Sequence, residues 1–265
     1  MKKLLIVLLA IIVCSYSYTH AKMEPLIEGV IKRGVLRVGF APFLPWIIQN
    51  KDGEYVGFDI DIAKRLAQDL GVTLQLVPTR WTEIIPSLLA NKFDIIISGA
   101  TITLERNLQV NFSNPYHQTD IEVLANAKKV KGMKFPQDFN KPEVIVAIRN
   151  GSTVITPAKQ LLPKASFRLF DDEVASIKDV ESGQSHILLA SAPLPAIQAI
   201  NSNGNLIRLD TLPITHQSVG FAIKKGDPDS LNILNNWIKF IENEGWLSER
   251  KNYWFNSLKW KNEVI

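Results

Sequence analysis

Gly99, Thr101, Thr103 and Arg106 follow directly on the apolar run Phe93-Asp94-Ile95-Ile96-Ile97. Their types and order suit the holding of a small anion. Glycine allows a ligand to approach the backbone, the threonines offer hydroxyls, and arginine presents a planar fork that matches a carboxylate. If Thr103 caps a helix, its first turn adds free N–H groups and partial positive charge at the same spot. An ordinary strand–turn–helix junction with a surface arginine has the same composition, so the surrounding elements must decide. A second polar turn, Arg149-Asn150-Gly151-Ser152-Thr153, follows the apolar run Val144–Ile148. Ligands in open α/β sheets lie outside the carboxyl ends of strands, where both turns fall.

Alternating elements are expected to position these turns. Val35–Phe40 reads as a buried strand, ending at a ligand-facing turn of Ala41, Pro42 and Phe43. Ile60, Ala63, Leu66, Ala67 and Leu70 form a helical stripe that Gly71 closes. Residues 72–77 alternate as a strand. Trp81 follows, with Thr82 as the expected cap of a short helix to Leu89, and Pro86 is tolerable near its start. Strands with intervening helices predict a parallel α/β sheet buried on both faces. In the second half, residues 144–148, 167–170 and 187–190 read as strands and Val174–Ser182 as a helix. Ser218–Ile223 is read as one further strand and Leu231–Asn243 as an amphipathic helix. Chain crossings between two lobes are expected at Asn126–Asn140 and Leu212–Ser218.

The chain has 265 residues, one cysteine and a formal charge of +4. Lys2, Lys3 and the ten-residue apolar run Leu4–Val13 form an export signal too short to span a bilayer comfortably. Cleavage is expected after Ala21, in Thr19-His20-Ala21. A lipid anchor at Cys14 is not expected, because Ile11, Ile12 and Val13 are large where a lipoprotein peptidase needs small residues. Without residues 1–21 the charge falls to +2, since Lys2 and Lys3 leave and no acid does. That balance and the lack of a basic stripe give no case for nucleic acid. A cysteine-free mature chain long enough to build its own core fits a bacterial periplasm.

Gly57-Phe58-Asp59-Ile60-Asp61-Ile62-Ala63-Lys64-Arg65-Leu66-Ala67 resembles the signature of periplasmic solute-binding proteins that serve polar amino acid ABC transporters (extracellular solute-binding protein family 3). The resemblance continues through Arg33–Gly39, Gly99–Arg106, Phe112–Tyr116 and Val219–Gly226, nearly the whole mature chain. It implies an α/β fold of two lobes, the type II or Venus-flytrap periplasmic-binding arrangement, with a two-strand hinge. The implied division is 22–126 for the first lobe, 127–216 for the second and 217–265 for the return to the first. Asp59 and Asp61 are read as helix-start caps that determine the fold.

The resemblance also implies the ligand contacts. Arg106 would clamp a carboxylate, helped by Thr101 and the backbone at Gly99, and Phe43 and Trp81 would pack on the apolar part. Ser152 and Thr153 would add donors from the second lobe, and Arg149 would reach a polar group. Each has a plainer alternative: Phe43 and Trp81 as core, Arg149 as a solvated rim charge. One departure stands out. Members that bind amino acids carry an aspartate for the ligand's ammonium after the strand 187–190, where this chain has Ser191. Either another acid substitutes, from Asp171, Asp172 and Glu173, or the ligand has no free ammonium.

The expected function is therefore a non-catalytic, monomeric receptor that delivers a small carboxylate-bearing solute, an amino acid, to a membrane permease, without metal or cofactor. His117, His186 and His216 lack metal-ligand spacing. The alternative is an exported cyclohexadienyl (arogenate/prephenate) dehydratase, which the first lobe also resembles at Pro78–Trp81 and Thr101–Arg106. That chemistry needs a general acid in the second lobe, and neither Arg149–Thr153 nor Ser191–Pro195 supplies one.

Overall fold

The computed structural model describes residues 24–211, 214–257 and 259–261. The expected export signal, with Cys14 and the Ala21 cleavage point, lies outside them. The first half of the chain supplies β1 (Val35–Phe40), β2 (Ile48–Gln49), β3 (Tyr55–Val56), β4 (Thr73–Pro78), β5 (Ile95–Ile96) and β6 (Asn111–Phe112). β7 (His117–Asn126) then leads to β8 (Ile145–Arg149), β9 (Ser166–Phe170), β10 (Ile187–Ser191) and β11 (Leu206–Arg208). The chain returns through β12 (His216–Val219) and β13 (Ala222–Ile223).

Two mixed sheets result, ordered β4-β1-β5-β13-β6 and β11-β7-β10-β8-β9. The expected parallel pairings are present as β1 with β4 and β5, and β8 with β9 and β10. Neither sheet is wholly parallel, because β13 enters the first and β7 the second in antiparallel sense. The sheets are therefore mixed and not parallel as expected, because sequence periodicity carries no information about strand direction.

β7 and β12 pair from His117–Val219 to Asp120–His216, forming a two-stranded connection between the sheets. The first crossing therefore precedes the expected Asn126–Asn140 stretch, and residues 121–125 already pair with β10 in the second sheet, with Asn126 on β11. The expected strand Ser218–Ile223 is likewise two. It breaks at Gly220, where a Cβ would stand 3.0 Å from Ile102 and 3.1 Å from the Ser113 carbonyl.

The helix Phe58–Asp69 buries Phe58, Ile60, Ile62, Ala63, Leu66 and Ala67. It ends as expected at Gly71 (φ +68°), whose N–H bonds the Gln68 carbonyl while Val72 bonds Ala67. Asp59 and Asp61 do not cap it. Asp59 is fully buried and accepts from Gly99 N (2.6 Å) and Tyr116 Oη (2.8 Å), while Asp61 accepts from Trp254 Nε1 (2.7 Å). They fasten distant chain segments to the helix, and long-range partners outcompete the local N–H groups. Thr82 makes no capping bond either: Trp81–Glu83 is a short 3-10 turn leading into Ile84–Leu89. The core is divided in the same way as the sheets, with Leu36, Ile95 and Phe221 in one cluster and Val123, Val146 and Leu189 in another.

Candidate functional site

All nine residues singled out from the sequence line one small cavity of about 40 Å³ between the two sheets. Phe43 stands beyond the end of β1, and Trp81 opens the 3-10 turn after β4. Gly99 and Thr101 follow β5, Arg149, Ser152 and Thr153 follow β8, and Ser191 ends β10. The carboxyl ends of parallel strands from both sheets thus converge, as open α/β sheets require.

Arg106 is held from several directions. Thr103 caps its four-residue helix and accepts from Arg106 N at 3.2 Å, as expected. Nη1 donates to the Thr101 carbonyl at 3.0 Å and Nη2 to the Gly151 carbonyl at 3.1 Å. The guanidinium lies over the Trp81 ring, 5.0 Å from its centroid, and Arg149 approaches the same ring at 5.3 Å. Trp81 Nε1 also donates to the Gly151 carbonyl, at 3.1 Å. That single carbonyl therefore joins two side chains of the first sheet's loops to a loop of the second. Burial pushes the Arg106 pKa down to about 10, partly offset by Glu105, so the side chain remains cationic at neutral pH.

The hydroxyls meet on the connection between sheets. Thr101 Oγ1 and Thr153 Oγ1 donate to Gln217 Oε1 at 3.3 and 3.2 Å. Gln217 lies on β12, and Thr101 itself bridges Val219. Ser152 Oγ accepts from Val154 N at 3.2 Å. Gly99 lines the cavity with φ +55°, and its N–H is committed to Asp59.

Glu173 also lines the cavity, at the start of the helix Glu173–Glu181. Its side chain is 9% exposed and lies 3.9 Å from Arg149 Nη1, beyond hydrogen-bond distance. Glu173 Oε1 and Arg149 Nε are both buried with no hydrogen-bond partner. Burial pushes the Glu173 pKa up to about 7, against the pull of Arg149 and with the help of Asp172. Arg149, buried beside it, is not a solvated rim charge.

The sequence from 36 to 257 matches the family model of bacterial extracellular solute-binding proteins, family 3. The chain belongs to this family.

Among the relatives of this solute-binding protein is the L-cystine-binding protein TcyJ of Escherichia coli K12, 28% identical over 88% of this chain and 87% of that one. The cyclohexadienyl dehydratase of Pseudomonas aeruginosa is 25% identical over 87% and 86% respectively. A putative ABC transporter binding component from Wolinella succinogenes, solved with lysine, superposes with a TM-score of 0.81. It is 40% identical, covering 87% of this chain and 99% of that one.

Gln217 and Asp59 hold residues that line the cavity, and the sequence alone does not point to either contact. Gln217 carries no motif, and its role comes from the register of β12 on β7. Asp59 stands in the family signature, yet its bond to the Gly99 turn spans 40 positions and has no local sign. The sequence alone does not distinguish Glu173 from Asp171 and Asp172. The histidines are apart: His117 packs on Trp46 and Phe255, His186 Nδ1 accepts from Ile145 N, and His216 pairs with Asp120. No helix of the described residues is long and apolar enough to cross a membrane.

Proposed function

We propose that the cavity between the sheets binds a small carboxylate-bearing solute, an amino acid, with Arg106 as the carboxylate's principal partner. The observation that carries this reading is the convergence of Arg106, Thr101, Ser152 and Thr153 on one cavity from both sides of the connecting strands. Phe43 and Trp81 supply the apolar walls, Gly99 the close backbone, and Arg149 and Ser191 further polar surface. The names of the relatives, an L-cystine binder and a structure with lysine, support an amino acid over other carboxylates.

Mechanistically, the lobes built on the two sheets move about the β7–β12 pair. A ligand touching both lobes favours the closed form by contacts available only there. The bonds from Arg106 and Trp81 to the Gly151 carbonyl hold that form, and the loaded receptor presents it to an ABC transporter permease. The protein acts as a monomer in the periplasm after cleavage behind Ala21, without metal or cofactor and without catalysing a reaction. Thermal-shift screening of the twenty standard amino acids and L-cystine, followed by calorimetry, tests this reading. Micromolar or tighter binding of at least one is expected; no binding across the panel refutes it.

A second reading has one specific observation in its favour. Glu173 brings into the second lobe the acid that the loops Arg149–Thr153 and Ser191–Pro195 lack, and its pKa near 7 suits a general acid. The dehydratase alternative then predicts phenylpyruvate from prephenate, which the receptor reading does not.

A further inference from the structure

We infer that Glu173 holds the ligand's α-ammonium, the role left open by Ser191, and that the ligand's side chain leaves between Phe43 and Trp81 into the adjoining cleft. This rests on the amino-acid reading above and goes further, to the class of amino acid. Ser191 lines the cavity but brings no negative charge. Among the three candidate acids, Asp172 is occupied as a helix cap, accepting from Ala175 N at 2.7 Å, and Asp171 is exposed and accepts from Asn150 Nδ2 at 3.3 Å. Glu173 alone of the three is buried, and its Oε1 has no donor. A buried carboxylate oxygen without a donor is unfavourable, and an ammonium, with three N–H groups, meets the need directly. Arg149 does not, at 3.9 Å and with its own Nε unpartnered.

The shape gives the direction of the rest of the ligand. A cavity of about 40 Å³ has room for roughly three waters, which suits a charged head group and no more. On the side of Phe43, Arg149 and Glu173 it opens to a cleft of about 700 Å³, whereas the neighbouring cavity of about 460 Å³ meets it at Arg106, Ser152 and Thr153, the side assigned to the carboxylate. That cleft is lined by Leu44, Ile48 and Ile177, with Arg80, Asp171, Asp172 and Gln198 among its polar groups. An apolar stem with a polar end fits this arrangement of mixed charges, so the ligand is a long-chain α-amino acid.

Calorimetry with L-lysine, L-arginine and L-cystine, each against its deaminated counterpart (6-aminohexanoate, 5-guanidinopentanoate and 3,3′-dithiodipropionate), tests the inference. At least one amino acid is expected to bind the wild type about 100-fold more tightly than its counterpart, as a lost charged hydrogen-bond partner implies. Glu173→Gln should remove most of that preference, about 30-fold, and leave the counterpart's affinity within about threefold. Adding Ser191→Asp to that variant should restore at least about tenfold, which separates lost charge from lost fold. Equal binding of acid and amino acid by the wild type, or an unchanged preference in Glu173→Gln, overturns the role of Glu173 while leaving the carboxylate site standing. Binding of none of the six compounds overturns the long-chain assignment, and the carboxylate site falls only if the full amino-acid panel above also fails to bind.

Discussion

Replacement of Arg106 gives the most direct measure of the proposed carboxylate site. Nη1 and Nη2 each spend one hydrogen on a carbonyl, Thr101 at 3.0 Å and Gly151 at 3.1 Å, which leaves Nε–H and the second hydrogen of each Nη for a ligand. With a pKa of about 10 the guanidinium stays charged at pH 7.5. Two charge-assisted hydrogen bonds at about 1.5–3 kcal/mol each give about 3–6 kcal/mol, or roughly 10²- to 10⁴-fold in affinity. Arg106→Ala should lose that range. Arg106→Lys keeps the charge but loses the fork and its fit over Trp81, so a loss of about 10- to 100-fold is expected. The fold should tolerate both changes, because Arg106 sits on an exposed four-residue helix and one of its two carbonyl acceptors, Gly151, is exposed to water. Calorimetry with the amino acid that most stabilises the wild type, alongside thermal unfolding, measures both quantities. An Arg106→Ala affinity within about threefold of wild type would refute the clamp. So would an Arg106→Lys variant as weak as Arg106→Ala combined with a large fall in melting temperature, since the effect would then be on folding.

The remaining expectations concern Glu173, Asp59 and Gly99. A ligand ammonium needs ionised Glu173, whose pKa without ligand is about 7, so affinity should rise about tenfold from pH 6 to pH 8 and flatten above. Calorimetric titrations in Glu173→Gln should be flat over the same range, and a parallel slope in both proteins would discount the linkage. The same raised pKa, with that of Asp59 also near 7, means that ionisation disfavours the folded state. Stability without ligand should be highest below pH 4 as far as these two groups are concerned and fall as pH rises through 7, read as melting temperature against pH. Asp59→Ala strands Gly99 N–H and the Tyr116 hydroxyl, and relief of the buried charge offsets part of that. A net loss of about 2–4 kcal/mol, or about 5–15 °C in melting temperature, is expected, and a change below 2 °C would contradict it. Gly99→Ala places a Cβ at φ +55° and 3.3 Å from the Trp46 ring. It should cost about 1–3 kcal/mol in thermal unfolding.

Much of this site could be read locally. Arg106, Thr101 and Gly99 share one strand-to-helix turn, and Arg149, Ser152 and Thr153 share another, so short spacings were enough to nominate them. The helix Phe58–Asp69 and its glycine stop followed from apolar periodicity and a left-handed residue, both local properties. By contrast, β7 was missed because its residues divide between two environments. His117–Asp120 pairs with β12 and Ile121–Asn126 with β10 and β11, so no single alternation runs through it.

The sequence by itself determined an α/β chain of family 3, the two polar turns and the absence of an acid at position 191. These depend on residue type, spacing and order, which a linear chain carries in full. Only the tertiary structure decided which distant groups meet. It gave the Gly99 N–H to Asp59, joined Thr101 and Thr153 through Gln217, and brought Trp81 and Arg106 to the Gly151 carbonyl. It also separated Glu173 from its neighbours Asp171 and Asp172, three consecutive acids that the sequence treats alike. A helix start turns successive side chains in different directions, so one acid caps, one faces solvent and one is buried against the cavity. Burial then sets their chemistry, because a carboxylate's charge costs little in water and much inside the protein.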